Sequence, residues 1–111
     1  MFERSEPIAW VEADWPYGDR LRALTTTRAG GVSEAPCGGF NLADHVGDDP
    51  AHVAANRDIL ARYLGALPIQ WLEQVHGVRA VEAGQEAVPR ADAVWTTTPG
   101  QVLAVLTADC L

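Results

Sequence analysis

Residues 102–107, VLAVLT, are apolar on both alternating faces, the pattern of a strand covered above and below and flanked by others. Such a strand needs neighbours in its own sheet and layers packed on either side. The sequence stops four residues beyond it, at Ala108-Asp109-Cys110-Leu111. The expectation is an α+β fold, with mixed β-sheet layers flanked by helices. Residues 1–111 then form a single domain, itself the N-terminal part of a larger one. Composition agrees with a packed molecule. A compact chain of 111 residues hides about two-thirds of its unfolded surface, and a 48% hydrophobic content supplies the core.

Upstream of that strand the local signals are turn and cap signals. Residues 21–27 (LRALTTT) mix β-branched and apolar side chains and predict a strand. Residues 28–40 (RAGGVSEAPCGGF) form a loop whose four glycines permit backbone angles closed to other residues. Asp48 and Asp49 followed by Pro50 mark a helix start, an acidic cap before a proline at the first helical position. Val53, Leu60 and Leu64, with Ile59 and Tyr63 beside them, recur at helical spacing, and Gly65 ends the run. Three β-like segments follow at 69–76, 78–82 and 91–96, with His76-Gly77 placed for a hairpin or turn between the first two.

Charge narrows the function classes. Eight basic residues, every one an arginine, stand against fifteen acidic ones, for a formal net charge of −7. An acidic surface repels phosphate backbones and anionic lipid, so neither nucleic acid nor a membrane is the expected partner. A small anionic substrate is still within reach of one well-placed arginine. The N-terminus lacks an apolar run of signal-peptide length, and no stretch approaches a membrane span. A cytoplasmic protein is expected, with Cys37 and Cys110 as reduced thiols.

Standard phosphate-binding glycine motifs are absent. Pro36-Cys37 is followed by Gly38-Gly39-Phe40, which does not continue as a zinc-deaminase signature. Asp44, Asp48 and Asp49 lack calcium-loop spacing and read as helix-capping acids. His52 reads as a solvent-facing residue of the first helical turn and His45 as a loop tie. His76 differs, following Trp71-Leu72-Glu73-Gln74-Val75 at a strand end, where sites are commonly built. Cys110 likewise follows a strand, next to Asp109. A cysteine and a histidine can act as nucleophile and base or as two ligands of a zinc ion.

Six motifs, in order, carry a wider resemblance: Thr26-Thr27-Arg28-Ala29-Gly30-Gly31-Val32-Ser33, Phe40-Asn41-Leu42, His45-Val46-Gly47-Asp48-Asp49-Pro50 with Asn56-Arg57, Trp71 to Gly77 (WLEQVHG), Asp92-Ala93, and Thr107-Ala108-Asp109-Cys110. Together they resemble the YfiH-like family, also called polyphenol oxidase or laccase-domain proteins and described as purine nucleoside phosphorylases. The resemblance implies an α-β-β-α sandwich for the complete fold. It implies zinc ligation by His76 and Cys110, with a third histidine in a segment lying beyond this sequence; neither His45 nor His52 matches that pattern. It further implies phosphorolysis of adenosine, inosine and methylthioadenosine, with adenosine deamination as a side activity. Arg28 is the expected holder of phosphate or ribose, because guanidinium forks match oxyanions bidentately. Asn41 either orients the same ligand or caps its loop, and Asp109 orients a metal ligand or simply ends a strand.

Zinc is expected rather than copper. Three histidines and two cysteines cannot furnish a four-copper oxidase assembly, whose ions take imidazole and thiolate ligands. Two alternatives stand beside the phosphorylase: a Cys–His amidase with Cys110 as nucleophile, and a catalytically silent piece lacking the third metal ligand. Association with further copies of the chain is left open.

Overall fold

In the computed structural model, which describes residues 7–17 and 20–107, one helix and six short strands make an α+β arrangement. The chain divides into two compact units, Met1–Leu60 and Ala61–Leu111.

In the first unit, β1 (Trp10–Glu12) pairs antiparallel with β2 (Leu24–Thr26), Val11 standing opposite Thr25. Strand β2 falls inside the expected segment 21–27, whereas β1 was not expected, three residues being too few to show alternation. Arg22 ties the pair externally, lying 5.1 Å over the Trp10 ring and bonding Glu12 at 2.6 Å. Both side chains of that ion pair are half exposed, so water screens it and it contributes little to stability.

Helix α1 runs Pro50–Tyr63, starting where the acidic cap and proline place it. The Asp49 carboxylate accepts the Ala51 N–H at 2.9 Å, and its carbonyl accepts the N–H groups of His52 and Val53. The buried face presents Val53, Asn56 and Leu60. Phe40, Leu42 and Ala43 of the preceding loop are the other buried apolar side chains of this unit. Tyr63, read as a face residue, is 51% exposed, and the polar Asn56 takes a place in the core that periodicity alone does not assign.

In the second unit the helix closes through Gly65 at φ +79°, a left-handed angle that costs glycine little. Strand β3 (Ile69–Gln70) then pairs parallel with β6 (Val102–Leu103), and β4 (Ala80–Glu82) pairs parallel with β5 (Ala93–Trp95). Of the hairpin or turn expected at His76-Gly77, the hairpin is not formed. That site is a turn, and both neighbouring strands find parallel partners from later in the sequence, pairings that no local signal announces. The expected strand 69–76 is cut to two residues because side-chain bonds replace the ladder beyond Gln70. Gln70 is itself buried; its amide donates to the Ala87 carbonyl and accepts the Gly84 N–H.

The apolar segment 102–107 is also shorter as a strand than expected and is not fully covered. Among the described residues it pairs with β3 alone, and Leu103 and Val105 are 38% and 58% exposed. Among the described residues no helix is long and apolar enough to cross a membrane.

Candidate functional site

The turn carrying His76 is built by three kinds of bond. Glu73 forms a parallel bridge with Arg90: its N–H donates to the Pro89 carbonyl, and its carbonyl accepts the Ala91 N–H. Next, the Gln74 amide clamps the backbone of Leu106 from both sides, accepting its N–H at 2.6 Å and donating to its carbonyl at 3.1 Å. Finally, Asp92 accepts the N–H groups of Val75 (3.1 Å), His76 (2.9 Å) and Gly77 (2.8 Å).

His76 sits at φ +58°, a left-handed angle that costs a residue with a Cβ about 1–2 kcal/mol. Its side chain is exposed, and no described residue hydrogen-bonds the imidazole. The Gly77 N–H lowers the Asp92 carboxyl below its ordinary range; burial opposes this, and the His76 and Val75 N–H groups and the His76 ring charge add to it.

The glycine-rich loop of the first unit carries Arg28 and Asn41. Arg28 is exposed, its carbonyl accepts the Phe40 N–H at 3.1 Å, and its guanidinium lies beside Gly38, 3.3 Å from where a Cβ would stand there. Among the described residues no carboxylate pairs with that guanidinium. Both ends of the Asn41 amide serve the loop, accepting the Ala43 N–H and donating to the Ala43 carbonyl and to Asp48.

Beneath the loop lies a polar network that the sequence reading did not assemble. Asn56 is fully buried; its Oδ1 accepts the Val32 N–H at 2.9 Å, while its Nδ2 donates to Ser33 Oγ, the Asn41 carbonyl and the Gly39 carbonyl. Ser33 Oγ donates onward to Asp48 at 2.5 Å. Asn56 entered the sequence reading only within the Asn56-Arg57 motif, with no sign of its partners. Burial pushes the Asp48 carboxyl up, but hydrogen bonds from Ser33, Asn41 and the Asp49 N–H, helped by nearby His52, outweigh it and leave the group below its ordinary value. His52 is accordingly drawn in rather than solvent-facing, its side chain 17% exposed and its Nδ1 3.8 Å from Asp48.

Arg28 and Asn41 thus share one unit and His76 belongs to the other, while Asp109 and Cys110 lie outside the described residues. Among the described residues no three His, Cys, Asp or Glu side chains gather as a metal site. The donor chemistry of His76 with Cys110, one imidazole and one thiolate, nevertheless suits zinc.

A family model described as multi-copper polyphenol oxidoreductase laccase matches residues 22–111. A curated purine nucleoside phosphorylase of Pseudomonas aeruginosa is 52% identical over 103 residues, covering 93% of this chain and 42% of that protein. The Escherichia coli purine nucleoside phosphorylase YfiH is 48% identical over 105 residues, covering 91% of this chain and 43% of that protein. Among solved structures, Neisseria meningitidis protein NMB0706 matches with a TM-score of 0.85 and 41% identity, over 91% of this chain and 42% of its own. YlmD from Geobacillus stearothermophilus matches with a TM-score of 0.80 and 31% identity, over 99% of this chain and 44% of its own. The chain spans about two-fifths of the length of the curated relatives it matches.

Proposed function

The chain belongs to the family described as multi-copper polyphenol oxidoreductase laccase, and from that premise we propose that it serves a zinc-dependent purine nucleoside phosphorylase, the activity for which its curated relatives are named. The substrates are a purine nucleoside (adenosine, inosine or methylthioadenosine) and phosphate. Phosphate displaces the base at the glycosidic carbon, yielding free base and a sugar 1-phosphate, and adenosine deamination is a side activity. The setting is cytoplasmic.

One observation carries the site assignment. Strands β3 and β6 run parallel with Ile69 opposite Val102 and Gln70 opposite Leu103, an offset of 33 residues. The Gln74 clamp on Leu106 keeps the two segments in step for an offset of 32 residues. His76 and Cys110 are 34 residues apart, a separation close to those two offsets, and this supports reading them as members of one site.

His76, through a neutral ring nitrogen, and Cys110, as thiolate, would hold the metal, which makes metal affinity fall in acid. When bound, the ion supplies Lewis-acid polarisation of a substrate atom. Arg28 holds phosphate or ribose through its guanidinium fork. Asn41 fixes the loop beside it, and Asp109 orients the metal ligand next to it.

The test is an assay in phosphate buffer with zinc-loaded protein. Inosine is expected to yield hypoxanthine and ribose 1-phosphate. Replacing Arg28 with alanine is expected to raise the KM for phosphate by roughly tenfold to a hundredfold, the loss of one charge-assisted interaction. No base release above the protein-free control from either inosine or adenosine would refute the proposal.

A further inference from the structure

We propose that Asp92 is the positioning residue for His76, gathering the backbone N–H groups around it and so holding the imidazole-bearing residue in its left-handed turn. This rests on the reading of His76 as a metal ligand.

Three successive N–H groups normally point to alternate sides of an extended chain. They converge on one anion only where the middle residue leaves the extended region, forming the concave nest that elsewhere binds phosphate or other anions. Here the middle residue is His76 at φ +58°, and the anion is internal. Asp92 Oδ1 receives the His76 N–H at 2.9 Å, Oδ2 receives the Gly77 N–H at 2.8 Å, and Val75 reaches both oxygens at 3.1 and 3.3 Å.

Asp92 is in turn well held. It follows Ala91, which is fully buried, its own N–H donates to the Arg79 carbonyl, and it leads directly into β5. The carboxylate therefore transmits the position of a strand start to residues 75–77, which are all exposed and lie just past the Glu73 bridge and the Gln74 clamp. With three N–H groups already on its two oxygens, the carboxylate has little capacity left for a cation, so the geometry assigns Asp92 to the backbone rather than to the metal. Such indirect support of ligands matters to metal sites, which bind more tightly when the ligand needs no ordering on binding.

The test is made on the full chain with the isosteric variant Asp92→Asn, which keeps the shape but replaces one acceptor oxygen by a donor. Two quantities are read: amide hydrogen exchange at residues 75–77, and zinc affinity by competition with a chelator. In the unsubstituted protein the His76 and Gly77 amides are expected to exchange slowly despite their exposure. In Asp92→Asn, which keeps one acceptor oxygen for the two N–H groups, that protection is lost at one or both amides and zinc binding weakens by about tenfold or more, while the amides of Glu73 and Ala91, bonded to the Pro89 and Glu73 carbonyls, stay protected. A carboxylate that merely stabilised the fold would lower the melting temperature without changing the zinc affinity of the folded protein.

Fast exchange at 76 and 77 in the unsubstituted protein overturns the proposal, and needs no variant to fold. So does an Asp92→Asn protein with unchanged zinc affinity beside measurable zinc binding, or one that loses zinc while its amides stay protected, which would make Asp92 a ligand. If protection depends on Asp92 but the unsubstituted protein takes up no zinc at His76, the backbone contact stands and the ligand reading of His76 fails.

Discussion

Asn56→Ala is expected to destabilise the protein by about 3–5 kcal/mol, read as a lowered denaturation midpoint in urea. The side chain is fully buried and joins four groups of the glycine-rich loop: the Val32 N–H, Ser33 Oγ and the carbonyls of Gly39 and Asn41. Alanine orphans the Val32 N–H and the Asn41 carbonyl, while the Gly39 carbonyl keeps the Ser33 N–H and Ser33 Oγ keeps Asp48. Each buried orphan costs about 1–3 kcal/mol, less what relaxation recovers. Asn56→Asp is expected to be comparably damaging although its shape is conserved, because a carboxylate faces two carbonyl oxygens where an amide donated to them. A loss below about 1 kcal/mol for Asn56→Ala would mean that the loop does not hang on this residue.

Gly39→Ala is expected to cost several kcal/mol as well, and Gly84→Ala provides its control. The two glycines have nearly the same backbone angle, φ +89° and φ +90°. A Cβ at Gly84 would meet nothing within 4 Å, whereas at Gly39 it would overlap the carbonyl oxygen of Arg28 and come within 2.8 Å of the Gly30 carbonyl oxygen. The control carries only the left-handed backbone cost, about 1–2 kcal/mol. The excess in Gly39→Ala, expected to be about 2 kcal/mol or more, measures how closely the two limbs of the loop approach. Because Arg28 is one of those limbs, the same substitution is expected to impair phosphate use. Equal losses at Gly39 and Gly84 in thermal or urea unfolding would show that the close approach is absent.

What could be read in advance was what is coded locally. The helix was legible because Asp49, Pro50 and Gly65 act within a turn of where they stand. The two parallel pairings were not, since Ile69 meets Val102 and Ala80 meets Ala93 through contacts that no neighbouring residue announces. The strands came out shorter than the apolar runs because Gln70, Gln74 and Asp92 substitute side-chain bonds for backbone pairing. Asn56 was hidden by its type: a polar residue on an apolar helix face looks like a break in the pattern until its four partners are seen. At the candidate site, His76 was singled out by its place after WLEQV, but its left-handed backbone and the carboxylate behind it belong to tertiary structure. Arg28 was legible as a cation in a glycine loop.

The account stands on the imidazole of His76 and the thiol of Cys110 sharing one metal ion. The most direct measurement is a zinc titration of the full chain by NMR, following the ring nitrogens of His76 and the β-carbon of Cys110 in the same samples. Both sets of resonances are predicted to shift together and saturate at one equivalent, and substitution of either residue by alanine is predicted to abolish the response at the other. Resonances of His76 that stay fixed while Cys110 responds, or two responses that saturate at different zinc concentrations, would contradict it.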